Sequence, residues 1–323
     1  MSEMEGKSQA IEIRLRPGIL LLCLLALSAV WSTSSGCSVK KTVNVDIPPA
    51  IRQSKTASFE ELLAIIHGYG KIKSLSSNDM ELTFTSSRKR AEGVLERYRS
   101  LNGYILLQRP DSIHFVLLIP ISRSTLFDVL SVGDNLSVWY PRENRFYLGR
   151  NSAKELIVES SAGSSEFAIP IRGPHIFEAL FPQSVAMDSQ GLWVGFEQQM
   201  DERASYYVLN FSREGDPKSV PRRIHILRKI WIERSALTIA RYQVFSDEGS
   251  IVSDIVYSKE VRIDSFDLPL QIHIDRPMDG YTLDLTFKNW SLNPDLQGEA
   301  FKLSPPPGAE IIRLKEKGKS GVS

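Results

Sequence analysis

The chain has 323 residues, with 39 basic and 38 acidic side chains for a formal net charge of +1, and is 42% hydrophobic and 24% charged. That balance excludes the basic surface of a nucleic-acid binder and the low hydrophobicity of a disordered chain, and the length suffices for a large buried core. With only two cysteines, Cys23 and Cys37, zinc and iron-sulfur sites built on sets of thiolates are excluded as well.

Arg14 and Arg16 precede an apolar run from Ile19 to Val30, too short to span a bilayer comfortably. Ser34-Ser35-Gly36-Cys37 follows, and the whole resembles a bacterial lipoprotein signal, residues 1–36, cut just before Cys37. Ser34 stands where such signals usually carry an aliphatic residue, so ordinary cleavage after a small residue is the other reading. On the first, Cys37 carries a diacylglycerol and an N-acyl chain such as palmitate, and no other cofactor is expected. Residues 37–57, with Lys40, Lys41 and Pro48-Pro49, form a polar tether.

A β-rich domain is expected over 58–308. Ser58 and Glu61 have capping-box spacing, and Phe59, Leu62, Leu63, Ile66 and Tyr69 share one helical face. Met80, Leu82 and Phe84 then alternate with polar residues, and Arg109-Pro110-Asp111 turns between apolar runs at 104–108 and 113–119. Further strands are predicted at 125–132, 136–140 and 145–148. Ser152 with Glu155 suggests a short helix over Leu156-Ile157, and Pro174 opens another that Pro182 ends. Strands resume from Leu192 and finish at Tyr281 to Trp290, where Tyr281, Leu283, Leu285 and Phe287 alternate with polar neighbours. Residues 309–323, after Pro305-Pro306-Pro307-Gly308, read as a charged tail. Ten or eleven strands in one domain make a large antiparallel sheet that twists and curls.

Catalytic apparatus is not visible, and no enzyme activity is expected. His67, His114, His175, His225 and His273 lie in separate elements without metal-ligand spacing, and no nucleophile elbow, Walker loop or dinucleotide fingerprint occurs. Asp111, Asp134, Asp247 and Asp279 each fall in a turn, where Asp bonds its local backbone. Arg88-Lys89-Arg90 and Arg222-Arg223 suit either anionic lipid headgroups or simple solvation.

A curled sheet with few helices either fills its concave face as a core or keeps a cavity, and composition leaves both open. Arg109-Pro110-Asp111, the run Ile113 to Ile119 and then Pro120-Ile121-Ser122-Arg123-Ser124-Thr125-Leu126 resemble a hairpin of the LolA/LolB-like superfamily of lipoprotein-localisation proteins. There an apolar strand enters Asn-Pro-Leu-Gly-Ser-Thr, and Ile121 takes the place of the exposed leucine. Ile169-Pro170-Ile171, Ile176 to Pro182 and Phe287-Lys288-Asn289-Trp290 resemble later pieces of the same pattern. Two departures stand out: Ser122-Arg123 adds a residue to the protruding loop, and Gln183 to Pro269 is longer than the LolB-type receptor needs.

The resemblance implies a mainly β, α+β fold: an incomplete β-barrel with a few lid helices and an apolar cavity for acyl chains. Met80, Leu82, Phe84 and Phe115 are the expected lining and Ile121 the expected membrane-inserting tip. It also implies an outer-membrane lipoprotein facing the periplasm, with lipid or lipoprotein acyl chains and a LolA-like carrier as partners. A structural or sensory envelope lipoprotein with a filled core, binding a protein partner, is the alternative.

Overall fold

Helix α1 (Phe59–Tyr69) forms as its cap predicts: the Ser58 side chain accepts the Glu61 amide at 3.2 Å, and the Glu61 carboxylate accepts the Ser58 amide at 2.7 Å. Leu62, Ile66 and Tyr69 are its buried face. Helix α2 (Gly173–Leu180) carries Pro174 in its first turn, where a missing amide costs nothing, and buries Ile176, Phe177, Ala179 and Leu180. The computed structural model describes residues 54–86, 96–152, 156–157, 172–182, 192–200, 204–215, 218 and 223–316, with backbone alone at 96–99, 156–157 and 315–316. Every one of them belongs to the compact unit Ile47–Ser323. No helix among them is long and apolar enough to cross a membrane. Cys37, the tether up to residue 53, Arg88-Lys89-Arg90, Ile169-Pro170-Ile171 and Arg222 lie outside the described residues.

The strands before α2 are β1 (Ser74–Ser86), β2 (Glu96–Gln108), β3 (Ser112–Leu118), β4 (Thr125–Val132), β5 (Asn135–Tyr140), β6 (Arg145–Arg150) and β7 (Leu156–Ile157). After it come β8 (Leu192–Met200), β9 (Ser205–Glu214), β10 (Ile224–Glu233), β11 (Thr238–Phe245), β12 (Ile251–Ile263), β13 (Phe266–Arg276) and β14 (Tyr281–Phe287). The chain closes with β15 (Ser291–Leu292), β16 (Glu310–Arg313) and β17 (Lys315–Glu316).

Among the described residues, fifteen strands make one sheet in the order β16-β6-β5-β4-β3-β2-β1-β14-β13-β12-β11-β10-β9-β8, with β15 beside β1. Two antiparallel meanders are thus joined where β1 meets β14, with Leu82 opposite Leu285 and Phe84 opposite Leu283. The sheet is curved and unclosed, as expected for an incomplete barrel. Register shifts at Ser77/Met80, Leu82/Phe84 and Trp231/Ile232 bend individual strands, which helps the sheet curl.

The sheet is larger than the ten or eleven strands expected, in part because β15 and β16 are only two and four residues long, too short for alternation to show; β7 and β17, two residues each, pair as a separate two-stranded sheet. Two local expectations are corrected. Leu156-Ile157 is a strand paired with Lys315-Glu316, not a helix. Residues 309–316 are not a free tail: β16 pairs parallel to β6, where Arg145 meets Glu310 at 3.1 Å and Ile312 packs against the core; the rest of the expected tail, 317–323, lies outside the described residues.

Antiparallel register sorts the turns onto two rims. The lower rim holds the turns at 109–111, 133–134, 234–237 and 264–265; the upper rim holds those at 119–124, 141–144, 246–250 and 277–280. Helix α1 closes the lower rim. Just before it, the Lys55 amide bonds Arg234 O at 2.9 Å, and at its far end the Tyr69 hydroxyl bonds Asp267 O at 2.6 Å.

Candidate functional site

Met80, Leu82, Phe84 and Phe115 all lie on the concave face, each at most 3% exposed, in one apolar cluster. Ile105 opposite Phe115, and Leu283, Leu285 and Phe287 on β14, extend it sideways, and Tyr207, Leu209, Phe211, Ile230 and Ile232 carry it across β9 and β10. What covers this face includes the two helices, whose Leu62, Ile66, Ile176, Phe177 and Leu180 belong to the same cluster. Each such side chain contributes about 1.5–3 kcal/mol by leaving water. An acyl chain could take over the same kind of contact.

One arginine fastens both helices. Arg109 Nε donates to Ile72 O at 2.8 Å and its Nη2 to Tyr69 O at 3.1 Å, holding the end of α1, while its guanidinium lies 4.4 Å over the ring of Phe181 at the end of α2. Burial lowers its pKa from the ordinary arginine value. The Tyr257 hydroxyl donates to Ala179 O at 2.7 Å. Gly173 lets α2 approach β3 and β4, since a Cβ there would stand 2.5 Å from Ile113 Cγ2 and Ser131 Cβ.

Above this clamp, α2 meets the β13–β14 turn through a polar cluster. Arg276, 6% exposed, donates to Asp279 Oδ2 at 2.9 Å, Glu178 Oε2 at 3.3 Å and His175 Nε2 at 3.0 Å. A guanidinium can only donate, so His175 Nε2 accepts and Nδ1 carries the ring proton toward the Tyr281 hydroxyl. Burial, with Arg276 next, lowers the His175 pKa to about 3. Burial also raises Glu178, against the opposing pull of Arg276 and Arg228.

This cluster holds a neutral imidazole already saturated by an arginine, an arrangement that fixes two elements together. A 230 Å³ cavity beside it is lined by Phe177, Glu178, Arg228 and Tyr242. A second cavity, of 390 Å³, opens at the lower rim between α1 and the turns at 234–237 and 264–265, with Ile65, Tyr69, Leu237 and Phe266 as apolar walls and Lys71 and Arg262 as cations.

The histidines do not converge. His114 on β3 bonds Asp128 at 2.7 Å and Ala300 O at 2.6 Å; burial alone would lower its pKa, but the Asp128 hydrogen bond and charge, with the Ala300 carbonyl, raise it. His225 bonds Asp247 O, His273 bonds Asp284, and His67 is exposed near the end of α1. Among the described residues no group of three or more His, Cys, Asp or Glu is placed to hold a metal ion.

Ile121 is 97% exposed, the most exposed of the large hydrophobic residues among those described. Its turn is closed by Ile119 N to Ser124 O and Arg123 N to Ile119 O, both 2.9 Å, and by a 2.7 Å contact between the Ser122 and Ser124 hydroxyls. Arg123 adopts φ +52, so the residue added to the loop is taken up in a left-handed bend. An ordered polar frame therefore presents one bare aliphatic side chain.

No family profile and no curated protein sequence matches the chain. Among solved structures it is similar to a DUF1329 family protein from Desulfovibrio piger, with 14% identity and a TM-score of 0.44 over 75% of this chain and 95% of that one. A LolA superfamily protein from Nitrosomonas europaea gives 13% identity and a TM-score of 0.42 over 77% and 99%. A putative outer membrane lipoprotein-sorting protein domain from Vibrio parahaemolyticus gives 12% and 0.41 over 75% and 93%.

Arg109, Arg276, His175 and Glu178 were not legible as site residues. Arg109 reads only as part of a turn, and Arg276 reaches its partners on α2 across 98 and 101 residues of sequence, beyond any local pattern.

Proposed function

We propose that this protein is lipidated on Cys37, is held in the bacterial envelope at the outer membrane facing the periplasm, and receives acyl chains of lipoproteins or lipids from a LolA-like carrier. The chains enter the concave face where α1 and α2 now pack, over Met80, Leu82, Phe84 and Phe115, and the protein discharges them into the bilayer with Ile121 leading. No covalent chemistry is needed. Each methylene sheltered from water is worth about 0.8 kcal/mol, and transfer needs only a gradient from carrier to receptor to membrane.

The observation that carries this reading is Ile121, fully exposed on an ordered polar turn that gains nothing from it in packing. Ile121→Glu is expected to leave folding and acyl-chain binding intact while slowing transfer into vesicles, because a carboxylate resists entering hydrocarbon. Transfer at the wild-type rate refutes the receptor mechanism.

A second reading has its own support. The expected lining residues are wholly buried in a cluster shared with both helices, as in a filled core. On that reading the protein is a structural or sensory envelope lipoprotein that binds a protein partner and no lipid.

A further inference from the structure

Ile121 is not alone on its rim. Met278, in the turn Pro277-Met278-Asp279-Gly280 between β13 and β14, is 62% exposed. Turn chemistry favours polar residues at such a tip, and three of the described lower-rim turns follow it with Arg109-Pro110-Asp111, Gly133-Asp134 and Asp264-Ser265, while the fourth, 234–237, carries Ala236 and a half-buried Leu237.

The register places the two tips relative to each other. Leu118, which leads into the Ile121 turn, lies level with Asn102, Glu81 and Thr286 in turn. From Thr286 back to Tyr281, where the Met278 turn ends, is about 17 Å along the strand. Sideways, four strand spacings separate the two hairpins, about 19 Å. A strand tilt of about 40°, usual when a sheet closes toward a barrel, brings both tips to the same height.

The Met278 turn is also fixed. Arg276 O accepts the amides of Asp279 and Gly280 at 3.1 and 2.8 Å, and the Arg276 side chain ties Asp279 to His175 and Glu178 of α2. A turn held this way presents Met278 without a large ordering cost on contact.

We infer that the β13–β14 turn is a second bilayer-contacting tip, which inserts Met278 beside Ile121 and thereby sets the upper rim against the membrane. This rests on the discharge reading given above, and it adds an orientation that one tip cannot fix. The length of chain before the described residues permits it. The first described residue, Ser54, lies near the lower rim, its hydroxyl 2.6 Å from that of Ser205. Between Cys37 and Ser54 about 17 residues can span up to ~60 Å. A 13-residue strand such as β1 is about 43 Å long, less than that contour length.

Methionine oxidation tests this without a label, because Met200, 71% exposed at the lower-rim end of β8, is an internal standard. The anchored chain is reconstituted in phosphatidylethanolamine and phosphatidylglycerol vesicles and treated with peroxide, and sulfoxide at each methionine is read by mass spectrometry. The reference is the full chain with Cys37→Ser, without vesicles. The Met278 to Met200 rate ratio is expected to fall about tenfold in vesicles. An unchanged ratio overturns the inference, as does equal protection of both methionines. An Ile121→Met variant separates the two claims: protection at position 121 without protection of Met278 sinks only the second tip, whereas no protection at 121 sinks the discharge reading itself.

Discussion

The two rims of the sheet are built to opposite rules. On the lower rim, polar turns, helix α1 and the Arg109 clamp bind the structure together, with a charged side chain bonded to backbone carbonyls and stacked on Phe181. On the upper rim, Ile121 and Met278 stand in water and add nothing to the core. The upper rim is tied down as well, by Arg276 joining its β13–β14 turn to α2, but on those fixed turns it presents bare apolar side chains. On the proposed function, the fixed turns would let the apolar tips touch a membrane while the helices move to admit a ligand.

Substitutions graded from the lower rim to the upper should trace that division. Arg109→Ala removes two charge-assisted hydrogen bonds and a cation-π contact shared by both helices, and is expected to cost about 3 kcal/mol in denaturant unfolding. A loss below about 1 kcal/mol would mean that the helices are held by apolar packing alone. Leu82→Trp in the middle of the concave face is expected to cost about 2 kcal/mol by overpacking if the core is filled. Unchanged stability with lost lipid binding would instead show space meant for a ligand.

Where α2 meets the upper rim, the effect depends on pH. Burial and Arg276 hold the His175 pKa at about 3, against 6.5 for an ordinary histidine, so between those values the unfolded chain binds more proton than the folded one. Stability contributed by His175 is therefore intact above pH 6.5 and is lost as pH falls toward 3, by about 1 kcal/mol per unit. His175→Gln should flatten that limb of the stability profile; an unaltered slope would assign it to other groups. His114, with a raised pKa, works in the other direction, its contribution being lost as pH rises through its folded value. At the upper rim itself, Ile121→Glu should change stability by less than about 0.5 kcal/mol, and a cooperative loss of structure there would place Ile121 in the core after all.

What could be read from the sequence was local. The Ser58/Glu61 box, the alternation of Tyr281 to Phe287 and the breach of turn chemistry at Ile121 each lie within a few residues, and each has its counterpart in the structure. Met278 carries the same signal as Ile121, an apolar residue in a turn, and was open to the same reasoning. Arg109 and the Arg276 cluster were not, because their partners come from segments far apart in the chain and only the folded, curved sheet brings them together. The same holds for β16, whose pairing with β6 depends on a register about 165 residues away that no four-residue pattern encodes.

The central claim, that the concave face receives acyl chains, is tested most directly by native mass spectrometry of the protein purified from membranes in mild detergent. The account expects a population carrying non-covalent lipid, displaced when Leu82→Trp fills the face. A protein that appears only as its own polypeptide and covalent anchor, under conditions that preserve a known lipid complex, would contradict it and leave the filled-core envelope lipoprotein as the function to pursue.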